Sequence, residues 1–240
     1  MSRPALRWLL LAALLLPACS PQTKRNCAPV DARHYDAFWL WAGVKPQPVL
    51  DKAQRVYVLE GEVRGAPGRL FAQRGPTPRT RDIPLFLVIR VETLDWAPGT
   101  REAIIAALAR WERAGNKVVG LQIDFDARTR ALDGYAAFLE QLRRDVPDRF
   151  ELSVTGLMDW SANADSAALN RLGQTVDEVV LQTYQGRSTV PGYDAYIARL
   201  DRMKLPFRLG IVQGGEWCPA TDPARNPAFK GYVVFLVNPR

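Results

Sequence analysis

Between residues 84 and 213 the chain alternates between two hydrophobic rhythms. Short apolar runs rich in β-branched residues read as buried strands, and the stretches between them carry apolar residues at helical spacing. Eight such strands are predicted: Ala37–Ala42, Arg55–Glu60, Pro84–Val91, Val118–Ile123, Glu151–Leu157, Glu178–Tyr184, Phe207–Gln213 and Gly231–Leu236. Thr100 to Ala114 places Ile104, Ile105, Leu108 and Trp111 on one helical face, with Gly115 as a stop. A second helix starts at Asp133, turns Tyr135, Phe138, Leu139 and Leu142 inward and ends before Pro147. Shorter helices are expected over Asp165–Leu172 and Tyr193–Met203.

The early connections are poorer. Only Val49 to Gln54 offers helix between the first two strands, and residues 61–82 read as an irregular Gly-, Pro- and Arg-rich loop with an apolar island at Leu70-Phe71-Ala72. Strands alternating with helices predict an α/β fold, a small, degenerate (β/α)8 TIM barrel with weak early helices and no last helix. A doubly wound open sheet is the alternative. Against it, no Gly-x-Gly-x-x-Gly turn follows any strand, and Gly214-Gly215 is too little to imply a phosphate site.

The fourth strand ends in carboxylates. Alternate residues of a strand share a face, so Gln122, Asp124 and Asp126 project together at its carboxyl end, where barrels of this type carry their chemistry. The other strand ends supply Trp39 and Trp41, Glu92, Asp159 and Trp160, Gln182, Tyr184 and Gln185, and Gln213, Glu216 and Trp217. Carboxylates, amides and aromatic platforms converging on one mouth suit a sugar. Plainer roles compete: the two aspartates as helix caps paired with Arg128 or Arg130, Tyr184 as packing, Glu92 as a partner of Arg90, and one of Trp39 and Trp41 facing outward under a helix.

The 240 residues, 48% apolar and 24% charged, fit one globular domain, but the first nineteen stand apart from it. Arg3 and Arg7 precede the apolar run Trp8–Leu16, and Leu-Pro-Ala-Cys ends it, as in a lipoprotein signal peptide whose Cys19 becomes lipidated. Residues 1–19 are read as this leader, 20–34 as a tether and 35–240 as the barrel. Ser20 after the cysteine favours the outer membrane, facing the periplasm. Cys27 and Cys218, left in an oxidising compartment, either pair or remain separate thiols.

His34 is the sole histidine and no Cys-x-x-Cys occurs, so neither a zinc site nor a Ser-His-Asp centre is expected, and no cofactor is implied. The net charge of +7 comes from scattered arginines, concentrated at Arg64 to Arg81, without the aromatic interleaving of a nucleic-acid surface.

Gly120-Leu121-Gln122-Ile123-Asp124-Phe125-Asp126 resembles the fourth-strand Gly-x-Asp-x-Asp-x-Glu motif of family-18 glycoside hydrolases, the chitinase-like barrels. Gln182-Thr183-Tyr184-Gln185 resembles their sixth-strand Met-x-Tyr-Asp, and Gly231–Leu236 their last strand. The phrases around Gln122, Leu152-Ser153-Val154-Thr155 and Gln182-Thr183 are also similar to a bacterial family of exported proteins known only as a domain of unknown function. The hydrolase resemblance implies Asp126 as general acid, Asp124 beside it raising its pKa, and Tyr184 holding the substrate's acetamido group. Gln122, Gln182, Trp41, Glu92, Asp159, Trp160 and Trp217 are then the expected sugar contacts. Three positions depart from the motifs: Gln122 replaces an Asp, Asp126 a Glu and Gln185 an Asp. The expectation is an envelope lipoprotein that hydrolyses or binds an amino-sugar polysaccharide such as a cell-wall glycan. The alternative is a non-catalytic carbohydrate-binding or scaffold lipoprotein on the same barrel.

Overall fold

Strands that are apolar on both faces need cover on both, and a barrel wrapped in helices provides it. The computed structural model, which describes residues 27–73 and 82–239, has that form. Among the described residues eight parallel strands close on themselves: β1 (Ala37–Leu40), β2 (Arg55–Arg64), β4 (Leu85–Val91), β5 (Val118–Asp124), β6 (Glu151–Leu157), β7 (Glu178–Gln182), β10 (Phe207–Val212) and β11 (Phe229–Phe235); β3 (Arg69–Ala72) lies beside β2, and β8 (Tyr184–Gln185) and β9 (Ser188–Thr189) form a small antiparallel pair of their own. Closure rests on β1, which pairs with β2 on one side (Ala37 opposite Arg55) and β11 on the other (Phe38 opposite Val234). A doubly wound sheet would leave both edges open.

The outer faces of the strands, including Leu87, Ile89, Leu121, Ile123, Val154 and Leu181, bury against the helices. Helix α1 (Thr100–Arg113) contributes Ile104, Leu108 and Trp111, and α2 (Leu132–Asp145) contributes Tyr135, Leu139 and Leu142. A short α3 (Trp160–Asn163) precedes α4 (Ser166–Gly173), which Asp165 caps by accepting from the backbone N–H groups of Ala167 and Ala168. The helix expected over Tyr193–Met203 is broken into α5 (Tyr193–Ile197) and a 3-10 turn at Leu200–Arg202. Between β1 and β2 only a 3-10 turn forms, Pro48–Lys52.

Inside the barrel, large rings sit beside missing side chains. A Cβ on Gly120 would come within 2.4 Å of the Phe86 ring, and one on Gly210 within 2.5 Å of the Trp39 indole. Trp39, Tyr57, Phe86, Val88, Val180 and Val233 fill the interior around them. The amino-terminal end is closed by charge. Glu178 accepts from Tyr57 Oη, from Arg208 Nε at 3.1 Å and from Ser153 Oγ at 3.1 Å, and Arg55 bridges it to Glu151. The interior is therefore plugged below, and solvent reaches it from the carboxyl ends.

Two expectations are corrected. The loop expected over residues 61–82 is partly a hairpin: β2 runs on to Arg64 and pairs antiparallel with β3 (Arg69–Ala72), which contains the Leu70-Phe71-Ala72 island. β3 is a mostly exposed edge strand, so it lacks the apolar alternation that marks a buried one. Neither tryptophan of the first strand faces a helix. Phe38 and Leu40 take the outward positions, whereas Trp39 and Trp41, two residues apart, share the inner side.

Cys27 and Cys218 form a disulfide with Cα atoms 5.5 Å apart. The backbone beside it adds two hydrogen bonds, Val30 N–H to Gly215 O at 2.8 Å and Gly214 N–H to Val30 O at 2.9 Å. The chain before β1 is thus held against the loop that follows β10. The expected leader with Cys19 lies outside the described residues, as does most of the Arg64–Arg81 concentration. Among the described residues no helix is long and apolar enough to cross a membrane.

Candidate active site at the carboxyl ends of the strands

A cavity of about 670 Å³ opens at the carboxyl ends of the strands. Its walls include Trp41, Arg90, Asp124, Asp126, Arg128, Asp159, Gln182, Tyr184, Gln185 and Phe235. The size is that of a small-ligand site.

Asp124 ends β5 and is only 7% exposed. Its Oδ1 accepts from Thr155 Oγ1 at 2.8 Å and from Gln182 Nε2 at 3.3 Å. Burial pushes its pKa up to about 6; the Thr155 hydrogen bond opposes this, the negative charge of Asp126 adds to it, and Arg90 and Gln182 pull it back. Asp126, two residues on, is exposed on the same wall. One carboxyl is therefore sheltered and able to hold a proton near neutrality, while the other meets solvent in the cavity. At this strand end the carboxyl pushed up is that of Asp124, the deeper of the two.

Tyr184 stands 6.3 Å from Trp39 and 5.2 Å from Phe235, ring centre to ring centre. Burial first, then the charges of Asp124 and Asp126, hold its hydroxyl pKa well above the usual value, so it stays a proton-bearing donor. Asp159 lines the wall in the connection between β6 and α3. Its Oδ1 is buried without a hydrogen-bond partner among the described residues, and burial raises its pKa. A ligand donor is the natural complement of such an atom.

The other expected contacts divide. Trp41, Gln182 and Asp159 line the cavity. Gln122 does not: it is fully buried below the floor, accepting from Trp39 Nε1 at 2.7 Å and donating to Ser153 Oγ at 2.9 Å. Its two polar atoms are both engaged, so it supports the floor. Trp160 is fully buried behind the wall and donates to Ala127 O at 2.8 Å, holding the loop after β5. Trp217 stacks on Tyr193 at 4.8 Å beside the disulfide, and Glu92 is an exposed residue just past β4; neither lines the cavity. Among the described residues no cluster of three or more His, Cys, Asp or Glu is arranged to hold a metal ion.

Arg90, Arg128, Thr155 and Phe235 were missed as site residues. A signal for two of them was present: Phe86, Val88 and Arg90 share parity along β4, as do Ser153 and Thr155 along β6, so a cation and a hydroxyl were due on the inner face.

The model of the family described as "Domain of unknown function (DUF3142)" matches residues 81–200, half of the chain. The chain belongs to that family. The matched segment runs from the residues before β4 into the turn after α5, and so holds Arg90, Asp124, Asp126, Arg128, Asp159, Gln182 and Tyr184, whereas Trp41 and Phe235 come from outside it. No curated protein matches the DUF3142 chain.

Several solved structures share its fold. The spore cortex-lytic enzyme SleL of Bacillus cereus aligns with a TM-score of 0.51 at 18% identity, over 74% of this chain and 50% of SleL. A xylanase-A-amylase inhibitor protein, XAIP-III, aligns with a TM-score of 0.51 at 12% identity, over 84% of this chain and 93% of its own. The chitinase domain of the Clostridium difficile spore coat protein CotE follows at 0.49 and 16% identity, over 81% and 68%. The chain spans half the length of SleL. For SleL and XAIP-III the likeness at such identities is one of fold, and it agrees with the closed barrel described above.

Proposed function

We propose that the cavity binds an amino-sugar glycan and hydrolyses it. The observation that carries this reading is the pair of carboxyls at the end of β5, one sheltered with a pKa of about 6 and one exposed on the same wall. In the proposed reaction Asp126 gives its proton to the departing glycosidic oxygen while the substrate's acetamido oxygen attacks the anomeric carbon. Asp124, ionised once the proton it holds has passed to Asp126 on substrate binding, accepts a hydrogen bond from the acetamido N–H and balances the positive charge that develops there, and the Tyr184 hydroxyl steadies the acetamido carbonyl. Water then opens the cyclic intermediate, returning a proton to Asp126. Trp41 and Phe235 offer aromatic faces to the sugar rings.

A second reading, a glycan-binding protein without turnover, is favoured by one specific observation. Gln122, where the resembling hydrolases have a carboxylate, is wholly committed to Trp39 and Ser153, so Asp124 has no acidic partner beneath it. XAIP-III, an inhibitor by its name, has the same fold. The deciding experiment incubates the protein and its Asp126→Asn variant with amino-sugar oligosaccharides and peptidoglycan fragments, with products read by mass spectrometry. Cleavage by the wild type alone, at unchanged melting temperature, supports hydrolysis. Equal product from both proteins removes Asp126 from the mechanism, and binding without product selects the second reading.

In the same proposal the protein is a lipoprotein of the bacterial envelope, attached through Cys19 to the outer membrane and facing the periplasm. Eight residues of chain lead from Cys19 to Cys27, a span of at most about 28 Å. Because Cys27 is bonded to Cys218 in the loop after β10, the tether enters at the mouth side of the barrel. This arrangement favours glycan close to the membrane surface as substrate.

A further inference from the structure

Two arginines line the cavity beside its carboxylates: Arg90 near the end of β4 and Arg128 in the loop after β5. Arg90 is the register partner of Asp124 on the neighbouring strand and shares the inward parity of Phe86 and Val88. It is therefore a cation aimed at the mouth of the barrel. Its guanidinium carbon lies 5.3 Å from the centre of the Trp41 ring. Stacking on an indole holds one guanidinium face and leaves the N–H groups along its edge free to bind a planar anion.

Elsewhere in this fold arginines meet carboxylates directly: Arg208 and Arg55 at Glu178, Arg171 at Glu140, Arg149 at Glu112 and Arg101 at Asp145. Among the described residues neither Arg90 nor Arg128 makes such an ion pair, although Asp124, Asp126 and Asp159 line the same cavity. Arg90 offsets the upward displacement of the Asp124 carboxyl only in part, burial outweighing it, and no salt bridge joins the two. Two exposed guanidiniums outside any ion pair among the described residues, one of them fixed by an aromatic ring, have the chemistry to bind a ligand carboxylate.

We infer that the glycan taken by this cavity is acidic, with a carboxylate on its sugars that Arg90 and Arg128 bind while Trp41 and Tyr184 meet the ring faces. This rests on the glycan reading above. The shared chemistry is a sugar-borne carboxylate, which arises either on the ring of a uronic acid or on a lactyl ether of an amino sugar.

The test measures affinity by calorimetry for three oligosaccharides of equal length: a neutral N-acetylglucosamine oligomer, one in which alternate units carry lactyl ethers, and a uronic acid oligomer. The full chain is compared with Arg90→Gln, Arg128→Gln and the double variant, and melting curves establish that each is folded. The readout is the ratio of acidic to neutral affinity. The wild type is expected to prefer at least one acidic ligand by about 10- to 100-fold, as charge-assisted hydrogen bonds allow. That ratio falls towards one in the double variant and shrinks with added salt. Preference for the lactyl or the uronic oligomer identifies the source of the carboxylate. Equal affinity of the wild type for neutral and acidic oligomers overturns this inference alone, as does a preference that survives in the double variant. Binding of none of the three overturns the glycan reading together with it.

Discussion

The indole N–H of Trp39 donates to the side-chain oxygen of Gln122 at 2.7 Å, across the barrel interior and 83 residues apart in the chain. The amide of Gln122 passes the contact on to Ser153 at 2.9 Å, and Ser153 reaches the Glu178 plug at 3.1 Å. The floor of the cavity is thereby linked to the sealed end of the barrel. Gln122→Leu keeps the volume and removes both bonds, leaving a buried indole N–H unsatisfied. The expected loss of stability is about 2–4 kcal/mol, measured by urea unfolding. A loss under about 0.5 kcal/mol would show that the bridge contributes little.

Asp124 supplies a pH dependence of defined sign. Its pKa is raised from 3.8 to about 6, so between those values the folded state holds a proton that the unfolded chain has released. The group's contribution to stability is full below pH 4 and is lost as pH rises through 6. The size of that loss is at most about 3 kcal/mol. Asp124→Asn carries no titrating proton, so its stability relative to wild type is expected to improve between pH 4 and 6 and to level off above. Parallel stability curves for the two proteins across this window would place the titration elsewhere.

If Asp126 donates the proton, its amide variant should lose roughly 10²- to 10⁴-fold in kcat, the usual worth of a general acid. Asp126→Glu, which restores the side-chain length of the resembling motif, is expected to keep turnover within about tenfold of wild type. Single-turnover rates on a cleavable oligosaccharide measure both. A glutamate variant as inactive as the asparagine variant would mean that position, rather than acidity, limits the reaction.

The Cys27–Cys218 disulfide spans 191 residues of sequence. Closing so long a loop restricts the unfolded chain, and Cys27→Ser with Cys218→Ser is expected to cost about 2–5 kcal/mol. Thermal unfolding of the wild type with and without reductant should show the same difference. A reductant-insensitive melting point would show that the backbone pairing of Val30 with Gly214 and Gly215 already holds the tether in place.

Much of this protein was determined by its sequence alone. All eight barrel strands were legible because most of their length is buried and so reads as a largely apolar run; the edge strand β3, exposed and beside a turn rich in Gly and Pro, was not. Strand parity was enough to bring Asp124, Asp126, Gln182, Tyr184 and Trp41 to the mouth. Tertiary structure decided how deep each inward-facing residue sits. Gln122 and Asp124 have the same parity on β5, yet one is sealed under the floor and the other is in the wall. Arg90 reaches the cavity because it stands level with Asp124. Depth follows from the stagger between neighbouring strands when the sheet closes, a relation among all eight that no single segment carries. For the same reason the upward shift in pKa belongs to Asp124: burial, which the closed barrel assigns, outweighs the charge of the neighbouring aspartate that the sequence displays.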